Sequence, residues 1–554
     1  MNYPNKYKTS NLKNILLPIA LCMLSIAGFA QKDTTKKIDI TSSFKPVLRN
    51  PVKINLAPTQ MVADSSRPTL EYTIPPQNLF YSYKAIPIEP VALLMDSDLY
   101  LGMRNYLKAG VGNFSTAFVS AGFSFGDGKK SLVNVYADYL SQKGKIQFQD
   151  YSKLALKANG SYFMPKNEAY GSAAITMTDN YLYGYDHTAY NYKKKDSIRN
   201  QFQDISLKAG YRNTVPTDYG ISYDPSVEVI AFANRNKLSE NSIVLDAPIK
   251  KEFGEAFALK IDGKADITSY STKGLIPNIK FSNNIFSLAP SLAFSSPQFS
   301  INGGIIPTWN NGKFVWLPNV YGEGHINIKG KPFLVQAGWV GRYDKNTFRN
   351  LSAINPYLET PTSQTNTKEI EYYAGLKGNV GKHLSISGKA GLVHFTNMQF
   401  FVNDTTASAK GFIMSNESKV NDLRVHGDLS YINQDKFTVT AGLTFNGYTG
   451  MHDNAKAWNT VPLEFTSSLR WWAFKQVMLK ADFYAFGGGN YLDKGNLARS
   501  FRGGKDLSAG AEFKINKRFS AWLDVNNILN NKYERWHNYE VYGLNVMGGV
   551  KVNF

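Results

Sequence analysis

Beyond about residue 100, apolar and polar residues alternate with a period of two along most of the chain. From Phe437 to Asn446, Phe437, Val439, Ala441, Leu443 and Phe445 make one set, and Thr438, Thr440, Gly442, Thr444 and Asn446 the other. Val477, Leu479, Ala481 and Phe483 alternate with Met478, Lys480, Asp482 and Tyr484. Leu384, Ile386, Ala390 and Leu392 alternate with Ser385, Ser387, Lys389 and Gly391, and Leu507, Ala509, Ala511, Phe513 and Ile515 with Ser508, Gly510, Glu512 and Lys514. Neighbouring side chains of a strand point to opposite faces, so each run predicts a strand with one apolar and one polar face. Each is about ten residues long, which is the length that crosses a bilayer as a tilted strand.

A soluble sandwich alternates too, and the turns separate the two cases. Short polar turns are expected near Gly128, Lys166, Pro216, Gly254, Pro297, Gly330, Gly381, Gln434, Phe474 and Asn516, roughly 33 to 53 residues apart. That interval holds two strands and one longer loop. Polar stretches at 344–366, 396–419, 449–459, 487–504 and 530–540 supply those loops. Short turns on one rim and long loops on the other are the layout of an outer-membrane β-barrel. With both ends of the barrel on the short-turn side, ten turns imply about 22 antiparallel strands, within a range of 18 to 24. The predicted fold class is therefore an all-β transmembrane barrel over residues 99–554.

Parity then assigns faces. Lys389, Glu464, Arg470, Lys480, Asp482, Glu512, Lys514, Asp524 and Lys551 should point into the lumen, and their mixed signs define no ion preference. Trp339, Trp471 and Phe519 should face outward near strand ends, where interfacial aromatics sit.

Composition agrees. Aromatic residues are 14% of the chain, which favours strands. After the N-terminus no stretch approaches eighteen consecutive apolar residues, so a helical membrane span is not expected. The first thirty residues read as a leader: Lys6, Lys8 and Lys13, then the apolar run Ile15 to Ala27, then Gly28-Phe29-Ala30 ahead of Gln31. The single cysteine, Cys22, lies inside this run, so the exported chain would carry no disulfide or thiolate metal site. The net charge of +19 invites a nucleic-acid reading. The lysines recur in turns rather than in a stripe, and attraction to lipid phosphates explains them as well.

The final segment carries the most specific signal. Tyr542, Leu544, Val546, Val550, Val552 and the terminal Phe554 share one parity, with Asn545, Met547, Lys551 and Asn553 on the other. This pattern resembles the signal by which barrel-assembly machinery recognises its clients for insertion into outer-membrane lipid. Ahead of it, Leu523-Asp524-Val525-Asn526-Asn527-Ile528-Leu529-Asn530-Asn531-Lys532-Tyr533 resembles the last hairpin of TonB-dependent receptors, although Ile528-Leu529-Asn530-Asn531 departs from the family's Leu-Phe-Asp wording. The resemblance covers only about residues 518–554. It implies a 22-stranded barrel with a plugged lumen.

The N-terminus departs from that family, whose members place a globular plug before the barrel. Residues 31–98 hold eight prolines, Pro46, Pro51, Pro58, Pro68, Pro75, Pro76, Pro87 and Pro90, and predict an extended periplasmic or lumenal segment in place of a conventional plug. Within it, Ile38, Asp39, Ile40 and Thr41 are similar to the short box through which such receptors engage TonB.

Other chemistry is sparse. The histidines show no metal-ligand spacing, and Gly487-Gly488-Gly489 lacks a following P-loop Lys-Ser or Lys-Thr. Asp186-His187 and His452-Asp453 are acid–histidine neighbours in outer loops, read as solvated pairs rather than catalytic ones. Tyr181, Tyr183, Tyr185, Tyr190 and Tyr192 read as an aromatic girdle extended above the membrane, with glycan or partner stacking as the alternative. No catalytic, cofactor or metal site is expected, and no nucleic-acid partner. The reading is a transport-class outer-membrane barrel, with TonB or another outer-membrane protein as partner. The rival is a structural or accessory subunit of a larger outer-membrane assembly.

Overall fold

A computed structural model describes residues 105–554, apart from 273–277, 329, 406–409 and 434–435. The leader, the segment 31–98 and Ile38 to Thr41 lie outside the described residues. The rest is a closed antiparallel barrel of 22 strands. The first strand, Tyr106–Gly112, pairs with its successor Thr116–Gly126 and with the last strand, Asn545–Asn553, which closes the ring. A short extra strand, Ile221–Tyr223, pairs alongside Leu238–Phe253. No helix among the described residues is long and apolar enough to cross a membrane.

Nine of the ten expected turns fall where two paired strands meet, and the tenth, at Gln434, lies outside the described residues. Gly330 and Gly381 take φ of 77° there, a left-handed conformation that glycine adopts without a Cβ clash. The predicted faces also hold. Leu443, Phe513, Leu392 and Val550 are exposed on the outside of the wall, while Met478, Asp482, Ser508 and Glu512 are buried on the inside. An exposed apolar belt around a polar interior inverts the arrangement of a water-soluble protein and suits a wall whose outer solvent is lipid. Trp339, Trp471 and Phe519 all lie on this outer face.

The long-loop rim differs from expectation in two ways. First, it is uneven. The connection between Phe299–Asn310 and Lys313–Ile328 is only Asn311-Gly312, both residues at positive φ, which is the tight hairpin turn that Asn-Gly favours. Second, the polar stretch 396–419 is largely strand. Leu384–Asn403 and Phe412–Asn433 stay paired up to Asn403 opposite Phe412. Strand pairing does not require an apolar outer face where no lipid touches it, so Gln399 and Asn416 can stay in the ladder and hydrogen-bond to each other at 2.8 Å.

Candidate functional site: a capped lumen

On the inner wall, alternation places charges on one face of adjacent strands, or of strands one apart, within reach of one another. Arg470 meets Asp482 at 3.0 Å, Lys480 meets Asp524 at 3.0 Å and Lys551 meets Glu512 at 3.8 Å. Lys389 pairs with Glu371 at 2.7 Å, a partner that parity in the better-patterned runs did not reveal. Glu464 accepts from the Tyr484 hydroxyl at 3.5 Å, and the Lys514 ammonium lies 3.9 Å from the Trp472 ring centroid. A denser group was missed altogether: Glu369 is shared by Arg342 at 2.6 Å and Arg424 at 3.1 Å, and Arg424 also reaches Asp422 at 3.4 Å. Buried charges persist when paired or hydrogen-bonded, and these groups meet that condition.

The mouth on the long-loop rim is bridged by the chain itself. Residues 345–366 leave the wall after Lys331–Asp344 and form a short helix, α1, Phe348–Ile354. Thr347 caps it, its hydroxyl accepting from the Asn350 amide at 3.2 Å. Phe348 and Leu351 are buried against Phe202, Phe232, Leu238 and Tyr270 from one arc of strands, and Phe401 and Phe412 join the same core from a distant arc. Tyr183, Trp536 and Tyr539 complete it from two other loops. Tyr357 stacks on Tyr539 with centroids 3.5 Å apart.

Wall side chains latch this segment by its polar groups. The Arg349 guanidinium donates to both carboxylate oxygens of Asp204, at 2.9 and 2.8 Å. Glu240, almost fully buried, accepts from the amides of Phe348 at 2.7 Å and Arg349 at 3.2 Å, so its negative charge faces the positive end of α1. Lys345 pairs with Asp266. Tyr270 donates to the Pro361 carbonyl at 2.6 Å, and Asn283 exchanges side-chain hydrogen bonds with Asn366. Across the lumen, Leu358 forms a bridge with Phe412.

These residues were not legible as a site, although Thr347 followed by Phe348, Leu351 and Ile354 at helical spacing is a helix signal inside a loop. The tyrosine run is a correction. Tyr181, Tyr183 and Tyr185 are buried in the cap rather than displayed above the membrane. Gly184 permits the inward course, since a Cβ there would strike the Tyr539 ring. Burial pushes the Tyr183 hydroxyl up to about 12, so it stays a neutral donor to the Glu540 carbonyl at 2.8 Å.

The acid–histidine neighbours serve local structure. Asp186 accepts from the Thr188 and Ala189 amides, and the His452 and Asp453 amides donate to the Glu417 carboxylate. Among the described residues no group of three His, Cys, Asp or Glu side chains could hold a metal. At the terminus, Leu544, Val546, Val550 and Phe554 are exposed and Val552 is half-buried. Tyr542 precedes the last strand, and its hydroxyl donates to the Gln149 carbonyl at 3.2 Å, at the cap.

Two cavities flank α1 beneath this cap. One, of about 780 Å³, is lined by the ionic group of Arg342, Glu369 and Arg424 and by Phe395, Phe400 and Trp458. The other, of about 360 Å³, lies between α1 and the strands from Gln142 to Phe232.

No protein-family model matches the chain, and no curated protein matches it. Solved structures do. The iron transporter FrpB from Neisseria meningitidis superposes with a TM-score of 0.62 at 10% identity, over 82% of this chain and 82% of that one. The ferripyoverdine receptor of the outer membrane of Pseudomonas aeruginosa gives 0.60 at 11% identity, over 82% and 72%. The siderophore receptor PirA from the same organism gives 0.56 at 10% identity, over 81% and 79%. At such identities the likeness is one of fold. That fold, the apolar belt and the paired interior together make the chain an outer-membrane β-barrel.

Proposed function

We propose that this protein is a gated uptake barrel, in which solute enters the lumen when residues 345–366 lift from the wall. The observation that carries the reading is the latch. A 22-strand lumen is too wide for wall side chains to fill. Here the mouth is bridged by the chain's own loops, held at points, by Asp204, Glu240 and Asp266, rather than by a continuous ladder. Point contacts of this kind can be broken and remade without unfolding the barrel. The fold shared with iron and siderophore receptors supports a transport role. In this reading residues 31–98 take the place of a conventional plug, and Ile38, Asp39, Ile40 and Thr41 form the contact with TonB that supplies energy from the periplasmic side.

The test is electrical. In planar bilayers the full-length protein should pass little current. The variant Asp204→Asn, Glu240→Gln, Asp266→Asn should open frequently. The same comparison with residues 32–95 deleted separates the cap from any block by the N-terminal segment. If the triple variant stays as closed as its parent in both backgrounds, the latch does not gate the lumen and the reading fails.

A further inference from the structure

The smaller cavity beside α1 has a chemistry of its own. Its wall carries neutral polar side chains at the lumenal positions of two strands, Gln142 on one and Thr176, Thr178 and Asn180 on the other, with Tyr151 and Lys153 on the strand between them. Its other side is aromatic: Tyr183, Tyr357 and Tyr542 from the cap, Phe202 and Phe232 from the wall. Charged groups at its edge are already engaged. Asp204 holds Arg349, Asp150 meets Lys195 at 3.0 Å, and Lys153 on the middle strand has an interaction of its own.

What is left unengaged is neutral. The Oε1 of Gln142 and the Nδ2 of Asn180 are buried with no hydrogen-bond partner, in residues only 3% and 5% exposed. One is an acceptor and the other a donor. A buried amide atom without a partner costs free energy, on the order of 1–3 kcal/mol by mutational measures. A ligand that supplied the missing partner would recover it. The ligand must therefore offer hydroxyl groups, which both donate and accept, and apolar C–H faces for the rings opposite. It must carry no net charge, because no unengaged charge awaits it.

We infer that this cavity is a binding site for an uncharged sugar ring. Its hydroxyls lie on Gln142 and Asn180, with Thr176 and Thr178 alongside, and one C–H face packs on the tyrosines of the cap. The volume of about 360 Å³ falls at the small end of ligand pockets, which run from roughly 300 to 1,000 Å³. The larger cavity across α1 is lined in addition by the denser ionic group of Arg342, Glu369 and Arg424. The inference names a substrate class for the proposed uptake barrel and rests on that reading only for how the sugar arrives and leaves. Binding itself does not depend on it.

The test uses the full-length protein in a detergent without a sugar head group. Equilibrium dialysis with radiolabelled maltose, and separately with N-acetylglucosamine, allows time for slow entry past the closed cap. Saturable binding of at least one is expected. The double variant Gln142→Met, Asn180→Leu keeps side-chain size but removes both amides, and should weaken it at least about tenfold, a loss of about 1.4 kcal/mol. Thr178→Val, a milder change, should weaken it less. Heat-modifiable gel migration confirms that each variant is folded. Should neither sugar bind the folded parent protein, or should the double variant bind as well as the parent, the assignment is wrong. If sugar binds but the latch variants never conduct, the sugar site stands and the gating falls. If the latch variants conduct but no sugar binds, the reverse holds.

Discussion

The wall of this barrel and the cap across its mouth are built from the same chain by opposite means. The wall is held by backbone hydrogen bonds from strand to strand and keeps its apolar side chains on the outside. The cap has an aromatic core of the ordinary inward kind, around Phe348, Tyr357, Trp536 and Tyr539, which it shares with wall residues such as Phe202, Phe232 and Tyr270, and it is latched to the wall at a few polar points. Breaking one ladder bond leaves its neighbours in place, whereas in the proposed gate the loss of two or three latches would free a whole segment. On that proposal the wall is suited to permanence and the cap to movement.

That contrast can be broken most severely at the seam. Phe554 directly follows the strand that closes the ring, Asn545–Asn553, and is exposed. We predict that Phe554→Asp prevents assembly, seen as loss of heat-modifiable migration and of outer-membrane recovery. Normal amounts of folded protein would show that the terminal aromatic is dispensable.

Within the belt, Leu443→Arg should destabilise the folded barrel by about 2–4 kcal/mol, the range for a cation facing lipid near midplane. Reversible unfolding in denaturant from lipid vesicles reads this directly. A loss well under 1 kcal/mol would argue that Leu443 does not face the bilayer interior.

A smaller effect should follow from removing one latch. Asp204→Asn leaves the wall intact and should raise open probability less than the triple variant does, with no change in unfolding midpoint. A lowered midpoint would mean that the cap and wall unfold as one unit, and the contrast would dissolve.

The mildest perturbation is alkaline titration. Tyr183 ionises near 10.0 when free and near 12 in the folded cap, because burial disfavours the phenolate. The folded state holds its proton more tightly, so this contribution is intact below pH 10 and is lost as pH rises through about 12. Tyr357 and Tyr539 are shifted in the same direction by burial. Conductance should rise over that interval while strand content by circular dichroism is still native. Strand loss preceding any rise in current would contradict a separately held cap.

The same contrast explains what could be read from the amino acids alone. The wall was legible because its pattern is local: alternation in a run such as Phe437 to Asn446 states both the strand and its faces, and glycines such as Gly330 and Gly381 mark the reversals. The cap was not, because its contacts join residues far apart in the chain. Asp204 meets Arg349, and Tyr183 meets Tyr539, with no periodicity to announce either. The tyrosines from Tyr181 to Tyr185, spaced by two, therefore read as an interfacial girdle. Their burial became visible only with the loops that fold over them. Glu240 and Asp266 sit at the inward parity of well-formed strands, so their orientation could be assigned, but not their partners in residues 345–366.

Whether movement of residues 345–366 opens the lumen can be measured with a reversible lock. Leu358 and Phe412 are partners in a parallel backbone bridge, and paired strands run about 4.8 Å apart, within the Cα range of a disulfide. Leu358→Cys, Phe412→Cys placed in the latch-free triple variant should form a crosslink that holds the segment down. Single-channel recording should then show a closed barrel under oxidising conditions and frequent openings within minutes of adding reductant. Equal current before and after reduction, with the crosslink verified by mass spectrometry, would contradict the claim that this segment is the gate.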